Sequence, residues 1–200
     1  MWRYHRDVAD PRAEPDSRAE ALADDLVAAR RAFLDAVEAI DPALMTAPGL
    51  VGEWSARELV AHMGYWAGHA AEAVHLAEQG RLDEFEADAP SVDERNAVVA
   101  RVAGETDMAT VSAREALAFE AFRERILSVD PDWLGERDAE GDTLEEIILY
   151  DGADHFREHT HDIRAWFAAG ADADTDADTD ADADTEADLG ADPGAEPGDD

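Results

Sequence analysis

The chain contains no cysteine, no lysine and no apolar run long enough to cross a bilayer. Without cysteine there is no disulfide, thiolate ligand or cysteine nucleophile, so thiol chemistry would need a thiol from outside. Without lysine, the 16 basic side chains are all arginine; they face 50 acids, for a formal net charge of −34. A transmembrane helix needs about 20 mostly apolar residues, so no membrane insertion is expected. No hydrophobic segment follows the basic start Met1-Trp2-Arg3-Tyr4-His5-Arg6, which leaves no secretory signal and makes the cytoplasm the expected location. Nor does any stretch alternate polar and apolar residues for long enough to suggest a sheet.

The acids are spread through the whole chain. Thirteen lie in residues 171–200, which hold no base, so 37 remain against 16 bases elsewhere. Such a surface suits a salt-rich cytoplasm, where the Debye length falls to ~3 Å at 1 M and carboxylate repulsion is screened. A specific basic partner or mimicry of nucleic acid is the competing reading. The charge repels phosphates, so neither nucleic acid nor an anionic membrane is expected as a partner.

Residues 1–16, with Pro11 and Pro15, read as a disordered lead-in. Residues 170–200 read as a disordered acidic tail, since repeats of Asp, Ala and Thr cannot bury enough surface to offset ordering entropy. Between them, over 17–169, the apolar period is helical. The spacing predicts helices over about 17–40, 55–79, 108–129 and 143–168, with a short one near 91–103. Ser17 with Glu20, Ser55 with Glu58, Ser91 with Glu94 and Thr143 with Glu146 each fit a capping box. The fold class is therefore all-α: a four-helix bundle with an extra short helix between its second and third helices.

Histidine carries the chemistry. His155 and His159 stand four residues apart, so both imidazoles leave the same helical face, which they share with Leu144, Ile147, Ile148, Ile163 and Trp166. In the second helix His62, Trp66 and His69 lie on one apolar stripe. A buried imidazole needs partners for both ring nitrogens, and a metal ion is one such partner. Three imidazoles around an open position is an arrangement of catalytic zinc sites, although nickel, iron and copper also accept them. A buried, hydrogen-bonded histidine cluster without metal is the alternative. His69 is about 10 Å along the helix from His62, too far to share one ion, and is assigned with Tyr65 and Trp66 to the pocket lining. Glu158 and Asp162 border the histidine pair and Asp151 lies one turn before it. Either of the first two could orient a ligand or act as general base. His5, His75 and His161 read as surface residues.

Gly52 to Met63, which contains Trp54-Ser55, Leu59 and His62, resembles the signature that opens the second helix in the DinB-like superfamily of four-helix bundles. The segment His155 to Trp166 resembles the ending of its DfsB/ClbS branch, and Val92-Asp93-Glu94-Arg95-Asn96 is similar to a short segment of that branch. The resemblance covers about residues 17–168. It implies an up-down-down-up topology and a divalent metal, zinc or nickel, on His62, His155 and His159. It also implies candidate activities: thiol-dependent transfer or isomerisation with an external low-molecular-weight thiol, as in the mycothiol-dependent maleylpyruvate isomerases, or hydrolysis of a reactive cyclopropane, as in ClbS-type proteins. The expectation is an enzyme acting on a small electrophile in detoxification or stress. The alternative is a metal-free binding or protective protein, or a metal-independent hydrolase. The partners expected are a small-molecule substrate and, through an apolar face, a second copy of the chain.

Overall fold

A computed structural model of the chain describes the backbone of residues 15–183 and the side chains of residues 18–170. Among the described residues six α-helices occur, in the order α1 (Pro15–Glu38), α2 (Ala56–Glu78), α3 (Val92–Gly104), α4 (Met108–Ser128), α5 (Leu144–Leu149) and α6 (His155–Ala183). A π turn over Tyr150–Asp154 joins α5 to α6 across a kink at Gly152, so the one last helix that the sequence predicts is built as two. Among the described residues, β pairing is confined to two isolated bridges, Val51 with Trp54 and Arg137 with Thr143. The fold is all-α.

Three of the four capping boxes are built as the sequence predicts. Ser55, Ser91 and Thr143 each accept from the backbone N–H three residues on, and Glu58, Glu94 and Glu146 each accept from the cap's N–H in return. The fourth is not. α1 already begins at Pro15, ahead of Ser17, because proline has its φ preset for the first helical position and lacks only an N–H that would be orphaned there.

The chain divides after Ile163 into two units. In the second, the helical backbone runs to Ala183, past the expected end near 168; alanine at alternate positions favours helix and no proline occurs before Pro193. Of the lead-in expected over 1–16, residues 1–14 lie outside the described residues, as does the end of the tail, 184–200.

The first unit is built around α2, which packs against α4 and α3, while α1 packs against α4. Its core includes the fully buried Phe33, Phe122 and Phe156, with Phe33 edge-on to Phe156 at 5.5 Å. The approach of α2 to α4 depends on Gly64, where a Cβ would lie 2.9 Å from the Cα of Glu115. Glu115 is 1% exposed and accepts two hydrogen bonds of 2.7 Å from the Arg30 guanidinium, which ties α1 to α4. The guanidinium carbon of Arg30 also lies 4.2 Å from the Phe119 ring centroid.

The π turn sets up the site. Gly152 leaves helical geometry at φ −103° and ψ −110°, and a Cβ there would meet Phe122 at 3.2 Å and Leu26 at 3.3 Å. The break buries Asp151, Gly152 and Ala153 and re-aims every side chain that follows it.

Candidate metal centre

His62 from α2 and His155 and His159 from α6 bring one ring nitrogen each within 4.8 Å of one another. The ring centroids of His62 lie 4.8 Å from His155 and 5.1 Å from His159, and those of His155 and His159 are 4.8 Å apart. The structure thus places the three expected ligands together, one from each side of the α2–α6 seam plus its i+4 neighbour. Trp54, just ahead of α2, packs on the cluster with its ring centroid 4.9 Å from that of His62.

The hydrogen bonds determine which nitrogens are available. His159 Nδ1 is 2.9 Å from Asp162 Oδ2, so the ring N–H donates to the carboxylate and the lone pair stays on Nε2. That Nε2 is buried and has no partner, and so is His155 Nδ1. Trp66 Nε1–H is shared between His62 Nδ1 at 3.2 Å and Asn96 Oδ1 at 3.1 Å. While Trp66 holds Nδ1, a neutral His62 carries its proton on Nε2, 2.9 Å from His155 Nε2. Moving that proton to Nδ1 would free Nε2 for a metal, and Asn96 is placed to accept it.

Burial, with the nearby His159, pushes His62 down to about 3 although Asn96 pulls the other way. Burial, His159 and His62 together push His155 to about 2. Both imidazoles are therefore neutral donors at neutral pH, the form that binds metals.

The donor set fits a divalent ion. Three imidazoles suit zinc, nickel and their neighbours. A tetrahedral ion with bonds of 2.0–2.1 Å needs ligand atoms about 3.3 Å apart. The separations here, from 2.9 Å to no more than 4.8 Å, bracket that value. The orphaned Nε2 of His159 supplies the stronger argument, because a buried polar atom without a partner costs about 1–3 kcal/mol.

Of the two carboxylates expected beside the pair, only Asp162 reaches it. Glu158 is exposed and bonds to none of the three histidines. Asp151 faces elsewhere because the π turn rotates it toward α2, where Oδ2 lies 2.9 Å from His69 Nδ1. Burial pushes the Asp151 carboxyl up, against the pull of His69. His69 is outside the trio, as its spacing predicts; its Nε2 meets Glu86 at 2.7 Å and its ring stacks near Tyr65. Trp66 lines the cluster, whereas Tyr65 is one residue round the helix and touches Trp66 edge-on. His161 is exposed.

Four residues join the site without having been predicted there: Trp54, Asn96, Arg95 and Glu86. Arg95 bonds to Glu86 at 2.6 Å and to His69 at 3.0 Å, and its guanidinium carbon lies 4.9 Å from the Trp66 ring centroid. Burial raises the Glu86 carboxyl, but Arg95 and His69 outweigh it and hold the group below its ordinary value. The segment Val92–Asn96 offered a signal for Arg95 and Asn96. Glu86 offered none, since it reaches the site through a left-handed backbone, φ +62°, in the loop before α3.

The sequence model of the DinB superfamily matches residues 25–177. Two solved structures share the fold. One is an uncharacterised protein from Escherichia coli UTI89, 14% identical, with a TM-score of 0.62 over 76% of this chain and 94% of that one. The other is the colibactin self-resistance protein ClbS in complex with a double-stranded DNA, 16% identical, with a TM-score of 0.60 over 74% of this chain and 93% of that one. No curated protein matches the chain in sequence.

Proposed function

The chain belongs to the DinB superfamily, and from that premise we propose that His62, His155 and His159 hold one divalent metal ion, zinc or nickel, at which a small electrophile is detoxified. The observation that carries this reading is the buried, unpartnered Nε2 of His159, whose other nitrogen is fixed by Asp162 in the manner of a carboxylate behind a metal ligand. When bound, such an ion supplies Lewis acidity, which lowers the pKa of a water or an external thiol it binds. Asp162 holds the tautomer of His159, and Asn96 is positioned to do the same for His62. Trp54 and Trp66 pack their rings against His62. Asp162 is 34% exposed at its side chain, so it is also the carboxylate within reach of an entering molecule's proton.

Protein purified without chelator, with zinc or nickel supplied, should carry about one equivalent of metal. The double variant His155→Ala/His159→Ala should carry none. A wild type that stays metal-free under these conditions sinks the reading.

A second reading is a metal-free protective or binding protein, or a metal-independent hydrolase. It is favoured by the bonds the histidines already make, from Trp66 to His62 and between His62 and His155. Equal melting with and without chelator, or turnover of a three-membered-ring substrate by fully chelated protein, would select it. A concentration-dependent oligomer would add the homodimer to it. ClbS was crystallised with a double-stranded DNA, so for this chain the argument against nucleic acid rests on its charge of −34. A gel shift at low salt tests that directly.

A further inference from the structure

Beside the histidine cluster, α2, α3 and α4 border an open cleft of about 670 Å³. None of the three candidate ligands lines it. Its wall is mainly apolar, with Ala61, Val98, Val99, Val102 and Val111 among its residues. That volume falls within the range of small-molecule sites, which combine apolar walls with a few placed polar groups.

The polar groups on this wall are unequal. Glu94 is committed to the cap of α3, and Glu115 is held in the two-fold bond from Arg30. Thr106 donates to the Val102 carbonyl. Arg95 is different. It is 8% exposed, one terminal nitrogen is occupied by Glu86 and His69, and the Tyr65 hydroxyl on the same wall also bonds to the side chain, yet its Nε is buried without a partner. Guanidinium nitrogens only donate, so what this atom lacks is an acceptor. Arg114, exposed at the same wall, is a second donor-only group.

We infer that this cavity is a second ligand site, which takes an organic acid with an apolar body and sets its carboxylate against Arg95, with Arg114 at the rim. A carboxylate supplies the missing acceptor through a charge-assisted bond, about twice as strong as a neutral one, and the valines cover the apolar body. The site lies one residue from the histidine cluster, because Arg95 packs on Trp66 and Trp66 donates to His62.

Octanoate is the probe and 1-octanol its neutral counterpart, titrated calorimetrically into the full-length chain with chelator present. The expected result is saturable binding of one octanoate per chain, at least ten-fold tighter than 1-octanol. Arg95→Met should abolish the preference for the acid, and Val98→Trp, which fills the cavity, should abolish both. Circular dichroism checks that each variant is folded; if Arg95→Met is not, Val98→Trp decides. Four results would overturn the inference: equal affinity for acid and alcohol, no saturable octanoate binding, octanoate binding that Val98→Trp leaves intact, or binding that weakens as the chain self-associates over the cleft. Because chelator is present throughout, a failure here is separate from a failure of the metal reading, which metal content decides.

Discussion

His159 shows how one residue's partner decides its chemistry. Asp162 takes the proton on Nδ1 and leaves a lone pair facing two other imidazoles. Asp162→Ala removes that orientation without opening the core, and carboxylates behind metal ligands typically account for 10–100-fold in affinity. The variant should therefore bind zinc roughly 10–100-fold more weakly in competition with a chromophoric chelator, with its helical circular dichroism unchanged. The cluster also has a pH signature in the metal-free chain. His62 and His155 titrate near 3 and 2 when folded and near their ordinary 6.5 when unfolded. The unfolded chain thus takes up protons that the folded chain refuses. Stability from these groups is complete above about pH 6.5 and is lost as the pH falls toward the folded values, by up to roughly 1.4 kcal/mol per pH unit for each histidine. Between about pH 6.5 and 5.5 ordinary carboxylates hardly titrate. A lower urea midpoint for chelated protein at pH 5.5 than at 6.5 should result, and an equal midpoint would contradict the buried neutral pair. The i,i+4 spacing made two of these histidines legible as a unit, and the apolar stripe of α2 made His62 the third. Asp151 could not be placed from the sequence because a helical wheel drawn across Gly152 ignores the π turn, and Glu86 left no signal because a left-handed loop residue has no periodic trace.

At the level of elements, capping was the most readable feature. Three hydroxyl–carboxylate pairs start α2, α3 and α5 where the sequence predicts, because a cap is satisfied locally and needs no tertiary partner. The close seam between α2 and α4 was not readable, since a glycine inside a helix looks the same whether it faces solvent or another backbone. Two glycines of α2 separate these cases. At Gly64 a Cβ would stand 2.9 Å from the Glu115 Cα, an atom that can move only with its helix. At Gly68, which is exposed, a Cβ would meet nothing within 4 Å. Alanine is the better helix former by about 1 kcal/mol, so Gly68→Ala should stabilise the bundle by up to that amount. Gly64→Ala has the same gain and a larger loss; forcing apart packed backbone costs about 1–3 kcal/mol, and here it also strains the buried Arg30–Glu115 pair. Urea unfolding should place the two variants on opposite sides of the wild type. Two shifts of the same sign would mean that α2 and α4 do not pack as described.

For the whole molecule, charge was evident from composition, and its consequence separates two accounts of the acidity. If the 50 acids serve a basic partner, the isolated chain has no reason to prefer concentrated salt. If they serve a salt-rich surrounding, the folded chain is strained by its own field whenever the Debye length exceeds the spacing of its surface carboxylates. That length is ~10 Å at 0.1 M and ~3 Å at 1 M, so most of the repulsion should vanish over this range. The melting temperature should therefore climb steeply up to about 1 M sodium chloride and flatten above it, where little repulsion remains to screen. Removing residues 171–200 takes away thirteen acids but leaves 37 against 16 bases, so the truncated chain should show nearly the same climb and bind zinc as before. A flat salt response would instead assign the charge to a binding partner. A climb abolished by truncation would place the repulsion in the last thirty residues rather than on the bundle. The few ion pairs that cross the first unit, such as Arg18 with Glu145 and Arg157 with Asp25, weaken as salt rises. They number too few to reverse the sign, because each satisfies one acid while the unpaired majority gains from screening.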